Sequence, residues 1–205
     1  MARTDAELLA AWRDDDKLSG QKLFERYFAA MTRFFANKVP HDHEDLVQET
    51  FAACVRGRDR LREDGRFRSY LFCTAYNVLK KYYTKRARPE LAESLDSQAA
   101  QDLAPGPSTL LRNTERDRFL LEALRKIPVE QQVVLEMMYW EGMSSSEVGD
   151  TLRISAATAR TRAHRGREKL ATLLARSRPD PLAPAQVDAW AAKVRDRMTL
   201  EFARS

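Results

Sequence analysis

A chain of 205 residues with 32% charged and 43% apolar side chains holds enough apolar material for one or two domains with real cores, and its composition is neither that of a disordered nor of a membrane protein. No apolar run approaches the ~18 residues that a membrane span needs, and Met1 to Trp12 is too acidic and interrupted for a signal peptide, so no membrane association and a cytoplasmic location are expected. The net charge of +5 is unevenly held: residues 155–176 carry +5 and residues 66–88 carry +7, which leaves −7 on the rest and predicts two contacts with a polyanion beside an acidic surface.

Thr4-Asp5-Ala6-Glu7 spells a capping box that opens a short helix to about Arg13, and Asp14 to Asp16 interrupt it. A second helix is predicted over Leu18 to Val39, with Leu23, Tyr27, Ala30, Met31, Phe34 and Phe35 recurring at three and four as a buried stripe. Pro40 ends it, and His41-Asp42-His43-Glu44 starts a third helix whose carboxylates suit its N-terminus. With no matching Cys or His elsewhere in this half, His41 and His43 read as a solvated helix start, and no metal is expected.

The third helix, Glu44 to about Arg56, turns Leu46, Val47, Thr50, Phe51 and Val55 inward and Asp45, Gln48 and Glu49 outward as an acidic face. A fourth runs from Phe67 to Arg86 with Phe67, Leu71, Ala75, Val78 and Tyr82 on its core side. Tyr70, Asn77, Lys81 and Thr84 line one flank, and Phe72, Tyr76 and Tyr83 the other. Exposed rings among cations suit unpaired bases, each worth about 1–3 kcal/mol when stacked. Phe72 and Tyr82 are assigned to the core, and Tyr70, Tyr76 and Asn77 to contact. Cys54 and Cys73 lie inside apolar helical patterns without paired spacing and read as core thiols.

From Arg88 to Asn113 periodic apolar residues give way to Ala, Ser, Gln, Asp and a Pro105-Gly106-Pro107 run, the composition of a flexible linker. Helices resume near Thr114 to Lys126 and, after Pro128, from Val129 to Trp140. Ser144-Ser145-Ser146-Glu147 is a second capping box; Leu152, Arg153 and Ile154 close that short helix, and Ser155 caps a longer one from Ala156 to about Ala175. Two capped helices with a three-residue joint read as helix-turn-helix. On the second, Ala159, Ala163, Gly166, Leu170, Leu173 and Leu174 face the core. Thr158, Arg162, Arg165 and Lys169 lie on one flank, Arg160, His164 and Arg167 on the other, and Ala157 and Thr161 on the outermost line. That is the shape of a helix that enters a major groove, with a solvated basic face as the plainer reading. A last amphipathic helix, Ala185 to Ala203, carries Val187, Ala191, Val194, Met198 and Phe202 on one stripe.

These residues resemble the extracytoplasmic-function (ECF) type of bacterial RNA polymerase sigma factor over roughly residues 5–175. Asp45-Leu46-Val47-Gln48-Glu49-Thr50-Phe51 is close to the family's D-L-V-Q-E-x-F stretch, which in relatives binds the clamp-helix coiled coil of the polymerase largest subunit. Phe67-Arg68-Ser69-Tyr70-Leu71 and Ala75-Tyr76-Asn77-Val78 resemble F-R-x-W-L and A-R-N-x, from the segment that melts and reads the minus-10 element. Ile127 to Leu135 resembles the opening of region 4, and Arg160 to Arg167 its K-S-R-x-x-R-A-R recognition helix for the minus-35 element. Tyr70 stands where the family usually has Trp, Tyr76 where it has Arg and Arg153 where it has the turn Gly, while Ala159 and Ala163 are smaller than the usual Val and Leu.

The resemblance implies an all-α protein of two small helical domains joined by a flexible linker. Region 2 would span 1–88, the linker 89–113, region 4 114–178 and a C-terminal extension helix 179–205. It implies core polymerase binding through Asp45, Gln48 and Glu49, minus-10 contact through Arg66, Arg68, Tyr70, Tyr76, Asn77, Lys80 and Lys81, and minus-35 contact through Thr158, Arg160, Thr161, Arg162, His164, Arg165 and Arg167. The expected partners are core RNA polymerase and promoter DNA, with room for an anti-sigma factor. No cofactor is expected, and no enzyme, since the sequence shows no Gly-rich phosphate loop, nucleophile elbow or Cys/His cluster. The alternative is a helix-turn-helix regulator that binds duplex DNA as a dimer without being a polymerase subunit.

Overall fold

A computed structural model of the chain describes residues 3–60, 66–86, 98–100 and 115–176. Those residues form eight α-helices: α1 Asp5–Arg13, α2 Lys17–Ala36, α3 His43–Arg56, α4 Phe67–Arg86, α5 Glu115–Arg125, α6 Val129–Tyr139, α7 Ser145–Leu152 and α8 Ala156–Arg176. No strand occurs among the described residues. The predicted C-terminal helix at 185–203 and most of the predicted linker lie outside the described residues.

The helix starts follow the sequence closely. The Glu7 amide donates to the Thr4 hydroxyl at 3.3 Å while Glu7 Oε2 accepts the Thr4 N–H at 2.7 Å, the reciprocal pair of a capping box. Asp15 turns the chain with a φ of 66°, and Asp16 caps α2 by accepting the Leu18 and Ser19 amides at 3.1 and 3.3 Å. A first bundle, α1 to α4, closes on aromatic rings: Trp12 stands edge-on to Phe24 at 5.2 Å, and Phe34 to Phe72 at 5.9 Å. A second bundle, α5 to α8, buries Leu120, Leu124, Val133, Met137, Ala163 and Leu170. Within it α8 crosses α6 at Gly166, where a Cβ would stand 2.9 Å from Leu135 Cδ1 and 3.2 Å from Gln131 Cβ, so a side chain there would force its α6 neighbours to give way.

The two bundles meet along a polar seam. Lys38, at the end of α2, is wholly buried and pairs with Glu136 of α6, itself 4% exposed. Burial pushes the Lys38 ammonium below its ordinary value and the Glu136 carboxyl above its own; each charge counters the other's shift. Arg33 Nη2 reaches Glu141 Oε1 at 2.9 Å, Arg125 Nη1 donates to the Asn37 carbonyl at 2.8 Å, and the Tyr83 hydroxyl donates to the Lys38 carbonyl at 3.1 Å. Gln98, inside the segment read as a linker, accepts the Val129 amide at 2.9 Å through its carbonyl, and Ala100 is buried.

That seam explains where the helical-wheel reading of α4 departs from the fold. Phe67, Leu71, Phe72, Ala75 and Val78 are buried as expected, but so are Tyr76, Leu79 and Tyr83. The α4 helix is covered on two sides, by α3 and by α7, so it has no single apolar face. Tyr82, assigned to the core, is half-buried and donates through its hydroxyl to Asp42 Oδ2 at 2.8 Å. Val55, read as inward, is 51% exposed, because the last turn of α3 runs past the helices that cover its middle.

Removing one partner of a buried pair leaves the other charge dry and uncompensated. Lys38→Met is therefore expected to cost about 3–5 kcal/mol in urea unfolding, whereas Lys38→Met with Glu136→Leu should regain most of that loss. A single-variant loss below about 1 kcal/mol would show that the pair does not hold the seam.

Candidate nucleic-acid interface

The helix-turn-helix of α7 and α8 is built by local hydrogen bonds. The Ser144 amide donates to Glu147 Oε2 at 2.8 Å and the Glu147 amide to the Ser144 hydroxyl at 3.2 Å, so α7 starts with its capping box made on both sides. The Thr158 amide donates to Ser155 Oγ at 2.9 Å and fixes the start of α8. Ala159, Ala163, Gly166, Leu170 and Leu174 face inward.

The side chains proposed for the upstream element divide into two sets. Arg160, Thr161, His164 and Arg165 are exposed along the outer face. Arg160 Nη1 donates to Ser145 Oγ at 3.3 Å, and His164 Nε2 lies 3.4 Å from Glu168 one turn on. Arg162 and Arg167 are half-buried and turned toward α6: Arg162 pairs with Glu130, and Arg167 Nη1 donates to the Tyr139 hydroxyl at 3.0 Å. Thr158 is half-buried beside Ser155, with the two hydroxyls 2.8 Å apart.

Arg68 on α4, and Arg66 just before it, face carboxylates of the second bundle. Arg68 Nη2 lies 2.9 Å from Glu147 Oε1 and its Nη1 donates to the Glu141 carbonyl at 3.1 Å. Arg66 approaches Asp150 at 3.9 Å. Tyr76, read from the sequence as an exposed flank ring, is only 7% exposed; its hydroxyl donates to Glu130 Oε1 at 3.1 Å, and Lys80 Nζ sits 5.5 Å from its ring centroid. Tyr70 is half-buried with its hydroxyl against Gly57. Asn77, Lys80 and Lys81 are exposed, and Lys81 Nζ lies 3.1 Å from Glu49 Oε1. On α3, Asp45 and Gln48 are exposed and Glu49 is half-buried.

The structure thus gathers Arg66, Arg68 and Tyr76 against Glu130, Glu147 and Asp150, a grouping absent from the sequence reading. Glu147 was legible as a cap; its second bond, to Arg68, connects residues 79 apart in the chain and leaves no local signal. Cys54 is buried and Cys73 half-buried, both as free thiols, and burial pushes the Cys54 thiol up to about 12. Among the described residues no group of three His, Cys, Asp or Glu could hold a metal ion, and no helix is long and apolar enough to cross a membrane.

Comparison with known proteins covers both bundles. Residues 21–89 match the model of Sigma-70 region 2, and residues 119–170 that of Sigma-70, region 4. The RNA polymerase sigma factor CarQ of Myxococcus xanthus is 31% identical over 166 residues, covering 80% of this chain and 93% of that protein. The ECF RNA polymerase sigma factor SigE of Mycolicibacterium smegmatis is 30% identical over 178 residues, 85% of this chain, which spans 66% of that relative's length. The fold resembles that of CnrH in complex with the cytosolic domain of CnrY, with a TM-score of 0.64 at 23% identity over 85% of this chain and 99% of that one. It also resembles the sigma factor RpoE of Bartonella quintana in complex with the anti-sigma factor NepR, with a TM-score of 0.60 at 19% identity over 77% and 98% of the respective chains.

The Glu147 carboxyl is held below its ordinary value of 4.5, first by the Ser144 amide, then by the Ser144 hydroxyl and Arg68. A carboxyl with a depressed folded-state pKa contributes stability that is full above its unfolded value and is lost as pH falls through the folded one. The advantage of the wild type over Glu147→Gln in urea midpoint should therefore be full above about pH 4.5 and shrink as pH falls further. A difference that does not change with pH would show that this carboxylate's charge is not what secures α7.

Proposed function

The chain belongs to the sigma-70 family of RNA polymerase sigma factors, in its extracytoplasmic-function group, and on that premise we propose how its helices divide the work. The protein binds core RNA polymerase and directs promoter recognition and transcription initiation. In our reading residues 1–88 act as region 2 and residues 114–178 as region 4, with 89–113 as the linker between them and 179–205 as an extension. The outward side of α3, with Asp45, Gln48 and Glu49, meets the polymerase. Arg66, Arg68, Tyr70, Tyr76, Asn77, Lys80 and Lys81 on and beside α4 serve the minus-10 element. Thr158, Arg160, Thr161, Arg162, His164, Arg165 and Arg167 on α8 serve the minus-35 element. The activity assigned to these side chains is binding and strand separation, with no covalent step. A sigma factor works where core polymerase works, so the proposed compartment is the cytoplasm.

The observation that carries this reading is the outer face of α8, where Arg160, Thr161, His164 and Arg165 stand exposed on a helix that is capped at its start and braced from behind. Bases are read by side chains that a rigid element presents, and phosphates by the cations around them. Arg162 and Arg167 would contribute through their grip on α6 as much as through DNA, since their guanidinium groups point there. A dimeric helix-turn-helix regulator is the weaker reading, because residues 21–89 match region 2 as well as 119–170 matching region 4.

The two elements lie roughly 25 base pairs apart by name, about 85 Å of duplex at 3.4 Å per step. Arg68 of α4 touches Glu147 of α7 at 2.9 Å. Bundles joined at that pair hold α4 and α7 side by side, so in our reading they part when the factor docks on core polymerase and engages both elements. CnrH and RpoE are each seen in complex with a second protein, the cytosolic domain of CnrY and the anti-sigma factor NepR. An anti-sigma partner for this chain is part of the proposal, gripping the bundles in the closed arrangement.

Purified chain should be retained by core polymerase, and Asp45→Lys should weaken that capture by on the order of tenfold, as expected for reversing a contact charge; undiminished capture would remove Asp45 from the contact. Arg165→Ala should cost about 1–3 kcal/mol in binding a duplex with the upstream element. Equal loss on a scrambled duplex would make Arg165 a phosphate contact.

A further inference from the structure

Arg153 occupies a backbone conformation that its residue type disfavours. It ends α7 with φ 57° and ψ 44°, in the left-handed region where a side chain crowds the following carbonyl. The joint dictates this turn. The Arg153 amide donates to the Gly149 carbonyl, the Ile154 amide donates to the same oxygen at 2.9 Å, and the chain folds back so tightly that a Cβ on Gly149 would lie 2.8 Å from the Ile154 carbonyl oxygen. Glycine would adopt the turn at no steric cost.

Asp15, with a φ of 66°, is the other described non-glycine residue at positive φ, and the comparison is instructive. Aspartate tolerates this region better than most residue types, and its carboxylate is used within the chain, 2.8 Å from Arg58 Nη1. Arg153 has neither excuse. It is exposed, and among the described residues its guanidinium has no hydrogen-bond or ion-pair partner, because the nearby Asp150 and Glu147 face Arg66 and Arg68. A disfavoured backbone held at a functional element points to a use for the side chain outside the fold.

Its place says which use. Arg153 lies two residues before the Ser155 cap, at the N-terminal end of α8, and recognition helices of this kind direct that end at the bases. A long cation beside that end meets the phosphates that border the groove. We propose that Arg153 is a phosphate-clamping, positioning residue that sets how α8 seats in upstream-element DNA. The inference rests on the reading of α8 as a DNA contact. It assigns to the joint a role that Thr158 to Arg167 do not fill, since an interaction with phosphate fixes register without reading sequence.

The test uses the full chain and a duplex selected by the wild type from a randomised pool, with affinity followed against salt. Arg153→Gly should fold with an unchanged or higher melting midpoint. It should bind about fivefold more weakly near 0.15 M salt, with a log–log salt slope shallower by about 0.9, the release of one phosphate contact. The loss should be the same on a scrambled duplex, and Arg153→Lys should restore most of the slope. Wild-type affinity and slope in Arg153→Gly overturn the clamp, as does a lowered midpoint, which would return the side chain to the fold. A loss confined to the selected sequence also overturns it, in favour of base reading. Arg165→Ala measured alongside separates the two levels: if it weakens binding and Arg153→Gly does not, only the clamp fails, and if neither matters, the reading of α8 fails.

Discussion

Lys38 and Glu136 hold one charge of each sign in the dry interior where the two bundles meet. Neither charge would tolerate that place alone, since burial acts against the ionised form of both. Each is also served by its own helix: Lys38 Nζ donates to the Phe34 carbonyl at 2.6 Å and sits 4.2 Å over the Phe34 ring, and Glu136 Oε1 accepts from Gln132 Nε2 at 2.8 Å. Helix-borne partners of this kind position the charges before they meet. An apolar seam would bind non-directionally, whereas paired charges accept one register and can both be hydrated when the bundles part. A seam of Lys38–Glu136, Arg33–Glu141 and Arg125 with the Asn37 carbonyl is therefore specific and also separable.

The consequence falls on α4. With α6 and α7 brought up to it, the helix is covered on a second side, and Arg66, Arg68 and Tyr76 find Asp150, Glu147 and Glu130 where a promoter strand would offer phosphates and bases. Exposed ion pairs of this sort are worth little one by one, about 0–1 kcal/mol each. Their effect is to satisfy the cations in the closed arrangement, so that DNA must displace carboxylates to reach them. The buried pairs set the register, and the exposed ones follow from it.

What the sequence made legible was whatever is decided locally. The capping boxes at Thr4 and Ser144, the cap at Ser155 and the inward face of α8 all appear as read, because each depends on residues within a few positions of one another. The wheel of α4 was read for one covered side, and the second cover comes from residues 130–150, out of reach of any periodicity. Tyr76 and Tyr83 were misplaced for that reason, and Lys38, off the apolar stripe of α2, gave no sign of burial because its partner is 98 residues away. Val55 fails in the opposite sense: its spacing is right for burial, but the cover stops before it.

The arginines of α8 carry the same lesson to the side-chain level. Composition gives that helix one basic character, yet Arg162 and Arg167 spend their donors on Glu130 and Tyr139 of α6, while Arg160 and Arg165 remain on the open face. A helix that is to press arginines into a groove must itself be held against the recoil, and an ion pair to the helix behind it does so without adding bulk at the DNA side. Gly166 completes the arrangement by letting α6 come close enough for those bonds to form. Two of its arginines thus brace the helix that presents Arg160 and Arg165, which is why a count of arginines overstates the contacts and why their direction, fixed by α6, decides which ones can reach a base.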